Sequence, residues 1–161
     1  IAKLIADGTG MSIDQYAKHR LFGPLGITEF EWAAGSDGVP SAASGLRLTT
    51  HDLAKIGQMV MNGGTWKGKP VVPEAWVEAV LTPHARTDEL RYGYFWWLAP
   101  EADPPIWVAG FGNGGQRLWV NKRGGPVMVV FAGNYNQPDA WQIPVAVTLD
   151  FLLPEFGVHV R

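Results

Sequence analysis

Apolar positions change their spacing once along this chain, after Pro83, and the two parts predict different elements. In "IAKLIADGTG" Ile1, Leu4 and Ile5 share a helical stripe that Gly8 is expected to stop. "GMSIDQYAKHRLFGPLGI" places Ser12 three residues before Gln15, a capping-box pattern. It predicts a helix from Ile13 to Leu21 that ends before Gly23-Pro24. From Thr28 to Arg47 the chain is rich in Gly, Ser, Ala and Asp and reads as loop. "TTHDLAKIGQMVMNGG" is the clearest helix: Thr49 with Asp52 makes a second capping box, Leu53, Ile56 and Val60 form one stripe, and Gly63 closes it. "VPEAWVEAVLTPH" predicts a shorter helix with Pro73 near its first turn, where a missing N–H costs nothing.

Beyond Pro83, "RYGYFWWLA", "PIWVAG", "QRLWVN" and "VMVVFAG" are rich in strand-favouring residues, and Asn121–Gly125 ("NKRGG") reads as a hairpin turn. "WQIPVAVTLDFLLPEF" predicts a last helix with Pro144 in its first turn and Pro154 beyond its end. Helices, then hairpin-linked strands, then a helix define an α+β class with an antiparallel sheet. We read residues 1–161 as a single incomplete domain, mainly helical over 1–83, with antiparallel strands and a C-terminal helix over 84–161. The opening helix begins on its own apolar stripe without a capping residue, so an upstream part of the protein is expected.

Composition narrows the function classes. The formal charge is -2, and no basic run exceeds two residues, so nothing points to nucleic acid. No apolar stretch approaches the roughly 20 residues that span a bilayer. There is no cysteine, hence no disulfide frame and no thiolate chemistry. His19, His51, His84 and His159 are scattered without metal-ligand spacing, so neither a metal nor another cofactor is expected. Among Ser12, Ser36, Ser41 and Ser44, none has Lys three residues later; Ser44 has Arg47, which stays protonated and cannot act as a base. There is no G-x-S-x-G either, so the chain holds no complete nucleophilic set.

What remains is the strand from about Ile106 to Gly110 and its glycine-rich continuation. A stretch without Cβ atoms lets a ligand lie against the main chain and pair with it as another strand would. The same glycines equally fit a bulge or an irregular hairpin connection.

"PLGI", "ASGLRLTTHDLAKIGQMVMNGG", "KPVVPEAW", "YGYFWWL" and "GNGGQ" occur here in one order. With "GNGGQRLWVNKRGGPVMVVFAGNYN" they resemble the carboxy-terminal half of the serine β-lactamase and penicillin-binding-protein-like hydrolases, nearest the class C-related, esterase-like branch. The resemblance implies that the catalytic Ser, Lys and Tyr motifs belong to a missing amino-terminal half and that none lies in this chain. The family's Lys/His-Thr/Ser-Gly strand motif falls on Gly110-Phe111-Gly112, where only the last glycine matches. That departure speaks against recognition of a β-lactam carboxylate and favours an ester or amide hydrolase.

By the same resemblance the Asn113 N–H is an oxyanion donor, with Gly114 continuing the substrate strand. Asn136 in "GNYNQP" faces substrate or serves an Asx-turn or helix entry. Tyr94, Trp96 and Trp97 wall the cleft, with at least one of them in the core. The implied partners are a small-molecule acyl substrate, the missing half, and a second copy if that half is absent. Two rival readings are a non-catalytic module that binds peptide or cell-wall fragments and, from the eight Trp, a carbohydrate binder.

Overall fold

The computed structural model describes residues 1–100 and 103–157; His159 therefore lies outside the described residues. Helix α1 (Ala2–Thr9) carries Gly8 inside it and ends at Gly10, whose φ of 71° lets its N–H reach back to Ala6 O. The stop falls at the glycine that turns left-handed, beyond Gly8. Helix α2 (Ile13–Ala17) begins as expected, with the Gln15 side chain accepting from the Ser12 N–H at 3.3 Å. It does not stop before Gly23-Pro24. A π-helical turn (Lys18–Phe22) carries it into α3 (Gly23–Leu25), which ends at Gly26. The Gly23 N–H bonds to Lys18 O, five residues back, and this wider turn relieves the clash a Pro24 ring would make in a regular helix.

The expected loop over 28–47 holds a short hairpin, β1 (Glu31–Trp32) with β2 (Leu46–Arg47). The Trp32 indole N–H ties its ends by donating to Ser41 O and Ser44 O. Helix α4 (Thr50–Met61) is capped by Thr49, whose hydroxyl accepts from the Asp52 N–H at 3.1 Å. The reciprocal half of the capping box is missing: the Asp52 carboxylate takes the Thr49 hydroxyl (2.8 Å) and Lys55 Nζ (2.6 Å) instead. Lys55 holds that carboxyl below its usual pKa. After α4 come the hairpin β3 (Thr65–Trp66) with β4 (Lys69–Pro70), and then α5 (Glu74–Val80), entered from Pro73.

Strands β5 (Ala85–Arg86), β6 (Arg91–Tyr92), β7 (Trp97–Leu98), β8 (Trp107–Gly112), β9 (Gln116–Asn121) and β10 (Val127–Val130) form one six-stranded antiparallel meander. The stretch read as one strand, "RYGYFWWLA", is two strands around a tight turn, with Gly93 N–H on Trp96 O at 2.9 Å and Phe95 at φ 65°. Gly93 is pressed onto the end of α5: a Cβ there would stand 2.0 Å from Val80 O. The Asn121–Gly125 turn is present, with Asn121 Oδ1 accepting from the Arg123 N–H.

One face of the sheet buries Leu98, Val108, Leu118 and Val120 under Met59 and Val60 of α4, in a core that extends to Phe22 and Val77. Over the other face runs the C-terminal helix: α6 (Gln142–Ala146), a π-helical turn (Val147–Leu152) and α7 (Leu153–Glu155). Pro154 sits inside this helix rather than beyond it, again one step after a π turn, with Leu153 N–H on Thr148 O. On this second face the Trp107 and Trp119 rings lie 4.7 Å apart and share a hollow with Leu149 and Leu153. The architecture is α+β, with β8 well inside the sheet.

Candidate active-site strand

Backbone direction along β8 is fixed by two hydrogen bonds. Ala99 N–H donates to Trp107 O (3.1 Å) on the β7 side, and Lys122 N–H donates to Ile106 O (2.9 Å) on the β9 side. Alternation then turns the polar groups of Trp107, Ala109 and Phe111 toward β7, and those of Val108, Gly110 and Gly112 toward β9. β9 pairs with the whole of β8, from Trp107↔Asn121 to Gly112↔Gln116. β7 pairs only with Val108 and Ala109, because the chain before Trp97 leaves in the Gly93–Trp96 turn. Beyond Ala109 the β7 side of β8 is therefore an open edge. It presents the N–H and C=O of Phe111 and, by the same alternation, the N–H of Asn113, which has no backbone acceptor among the described residues. Gly112 and Asn113 are exposed, while Gly110 and Phe111 are half-buried. The hollows at Trp107 and Trp119, at Trp76 and Trp96, and at Phe131 and Tyr135 are not lined by Gly110–Asn113.

Gly114 does not belong to this edge. It is buried, and a Cβ there would stand 2.7 Å from the Tyr135 ring, so its missing side chain makes room for Tyr135 rather than for a ligand. The aromatic residues also divide. Trp97 stacks on Phe111 (5.9 Å) and meets Tyr92 edge-on (4.8 Å). On the other side of this row the Arg117 guanidinium lies 4.5 Å from the Phe111 ring centre. Trp96 instead packs against the core beneath α4 and lines a hollow with Trp76, Tyr94 and Phe95. Tyr94 stacks on His84 (4.1 Å) and Trp76 (5.8 Å) at the β6–β7 turn. Of the expected wall residues, Trp97 alone contacts the β8 edge residues in these rings.

Asn136 is brought to the turn, but its amide is engaged: Asn113 Nδ2 donates to Asn136 Oδ1 (3.2 Å), and Asn136 N–H donates to Asn113 Oδ1 (3.4 Å). Three residues with a place here are not singled out by the sequence pattern. Gln116 donates to Ala132 O and to Tyr135 Oη, joining β9 to the segment after β10. Tyr135 covers Gly114. Arg117 is 8% exposed, donates to Gln116 O, and has a buried Nε without a partner among the described residues. Desolvation lowers the Arg117 pKa. Only the hairpin count that sets Arg117 opposite Phe111 could have pointed to it. Among the described residues no group of three or more His, Cys, Asp or Glu could hold a metal ion, and no helix is long and apolar enough to cross a membrane.

An antiparallel sheet between two helical layers, carrying a glycine-bearing strand with one free edge, is the fold of the β-lactamases and penicillin-binding transpeptidases. The chain belongs to the Beta-lactamase family, whose model matches residues 1–143. A 6-aminohexanoate-dimer hydrolase from Paenarthrobacter ureafaciens is 34% identical over 109 residues, covering 61% of this chain and 27% of that protein. The solved structure of a Bacillus anthracis protein described as a 6-aminohexanoate-dimer hydrolase superposes with a TM-score of 0.81 at 20% identity, over 99% of this chain and 42% of that one. A penicillin-binding protein from Bacillus halodurans gives a TM-score of 0.70 at 17% identity, over 93% of this chain and 53% of the other. The chain thus spans about a quarter to a half of the length of these relatives, and the family is one of hydrolases.

Proposed function

We propose that this chain is the substrate-strand portion of a serine hydrolase that cleaves amides or esters through an acyl-enzyme. The carrying observation is the unpaired edge of β8 at Phe111–Asn113. A substrate laid along it accepts from the Asn113 N–H with its acyl oxygen and donates its own N–H, where it has one, to Phe111 O. A serine from the rest of the protein attacks the acyl carbon, its proton passing to a neighbouring base. Negative charge then gathers on the oxygen held by Asn113. Collapse expels the amine or alcohol, which leaves with that proton. Water repeats the attack on the ester and releases the acid. One oxyanion donor contributes about 3–4 kcal/mol to such a transition state.

Amides and esters are favoured over β-lactams because Gly110 and Phe111 bring neither a cation nor a hydroxyl to the edge. The Phe111 ring is taken up between Trp97 and Arg117. A relative named for a 6-aminohexanoate dimer points the same way, since a dimer of an amino acid is joined by an amide. The test uses the full-length protein with a chromogenic ester and a linear aminohexanoate dimer. Turnover, with an acyl adduct on a serine outside these 161 residues by mass spectrometry, is expected. Binding without turnover would instead support a non-catalytic module. Enzyme-like turnover by the 161-residue chain alone would sink the assignment of the nucleophile to the rest of the protein.

A further inference from the structure

The Asn113–Gly115 turn is gripped by the segment after β10. Asn134 N–H donates to Gly114 O at 3.1 Å, and the Tyr135 ring occupies the space a Gly114 side chain would need. Asn113 and Asn136 exchange two hydrogen bonds, side chain to side chain and backbone N–H to side chain. Of these tethers only this pair holds Asn113 itself. Asn136 makes it from a left-handed backbone (φ 60°), a conformation asparagine tolerates better than most residues with a side chain.

The grip matters because the neighbouring contacts hold Gly112 and Gly114 and leave Asn113 itself to its pair with Asn136. Downstream, Gly114 and Gly115 both have positive φ, 79° and 91°, and do little by themselves to fix the direction of the Asn113 amide. Upstream, the pairing ends at Gly112↔Gln116. That last pair holds Gly112 O, the other end of the same peptide, so fraying of the pair with rotation of the Gly112–Asn113 peptide would swing the N–H off the open edge. We propose that Asn136 is a positioning residue that acts through the Asn113 side chain, locking the Asn113 N–H onto the free edge of β8. The inference rests on the reading of that N–H as the oxyanion donor. It replaces direct substrate contact as the role of Asn136.

The experiment uses the full-length protein with asparagine-selective ¹⁵N labelling and three variants: Asn136→Gly, Asn113→Ala and the double variant. Asn136→Gly removes the amide but leaves the left-handed backbone free of strain. The Asn113 amide order parameter is expected to fall from about 0.85 to below about 0.6 in Asn136→Gly. With it, kcat drops about tenfold to a hundredfold, the scale of a small misplacement of a reacting group. KM stays within about twofold, as for an interaction made in the transition state. The double variant falls no further than Asn113→Ala, because both remove one coupled pair. Independent, additive losses, or an unchanged order parameter with unchanged kcat, overturn the inference while leaving the hydrolase reading standing. If the wild-type protein turns over nothing, the hydrolase reading fails, and the order parameter alone decides whether Asn136 holds Asn113.

Discussion

Arg117 sits beneath the candidate site strand with its guanidinium against Phe111 and its Nε buried and unsatisfied among the described residues. A buried donor without a partner costs about 1–3 kcal/mol, and taking the charge out of water adds to that. Against this stand the bond from Arg117 Nη1 to Gln116 O, about 1.5–3 kcal/mol for a charged donor, and the attraction to the Phe111 ring, about 2 kcal/mol when desolvated. The two sides come out close to even. Arg117→Met, which keeps the length and packs against the same ring, should therefore leave the unfolding midpoint of the protein unchanged or raise it by about 1 kcal/mol in stability. Denaturant titration measures this. A loss above about 2 kcal/mol would mean that the rest of the protein supplies an acceptor to Nε, since breaking a buried pair is what carries that penalty.

At the scale of elements, α4 shows where a local rule yields to packing. Gly57 lies in the middle of the helix, where glycine is about 1 kcal/mol worse than alanine. A Cβ at Gly57 would stand 2.6 Å from Val127 Cγ1 and 2.8 Å from Leu118 Cδ1, so its absence lets the helix axis settle on β9 and β10. Overpacking costs about 1–3 kcal/mol, more than the helix propensity gained, so Gly57→Ala should destabilise the protein by about 1 kcal/mol and Gly57→Val by more. A thermal melt showing Gly57→Ala more stable would mean the contact relaxes freely.

The same contrast between local rule and packing separates what is legible in the sequence from what is not. Thr49 and Gly63 mark α4 because caps are local chemistry, and the strands after Pro83 reflect residue type. Gly23-Pro24 and Pro154 mislead because a π turn, which has no composition signal, lets the helix absorb the ring. The glycines beside Asn113 are visible as a bare stretch. That one side of it is an open edge depends on β7 beginning only at Trp97, and hence on a turn at Gly93 set by Val80 O from another element. Nor can the chain alone separate Gly112, exposed at the edge, from Gly114, hidden under Tyr135.

For the whole molecule, the sheet ends at β10, whose outer edge has no partner strand among the described residues. The strand is Val-Met-Val-Val, without the Lys, Pro or bulge that usually blunts an edge. Beside it the surface carries Phe131, and the C-terminal helix exposes Ile143 and Phe151, 63% and 67% accessible. An unblunted edge next to exposed apolar side chains pairs with whatever strand it meets. In the Bacillus anthracis and Bacillus halodurans structures of similar fold this chain matches 42% and 53% of the length, so those proteins have further chain with which to cover such a surface. The 161-residue chain produced alone should therefore self-associate at micromolar concentration, with Phe131→Lys reducing the effect by placing a charge at the end of the edge strand. Light scattering checks this directly. A clean monomer that unfolds cooperatively would show that β10 needs no cover, and with it the reason to regard the sheet as unfinished would disappear.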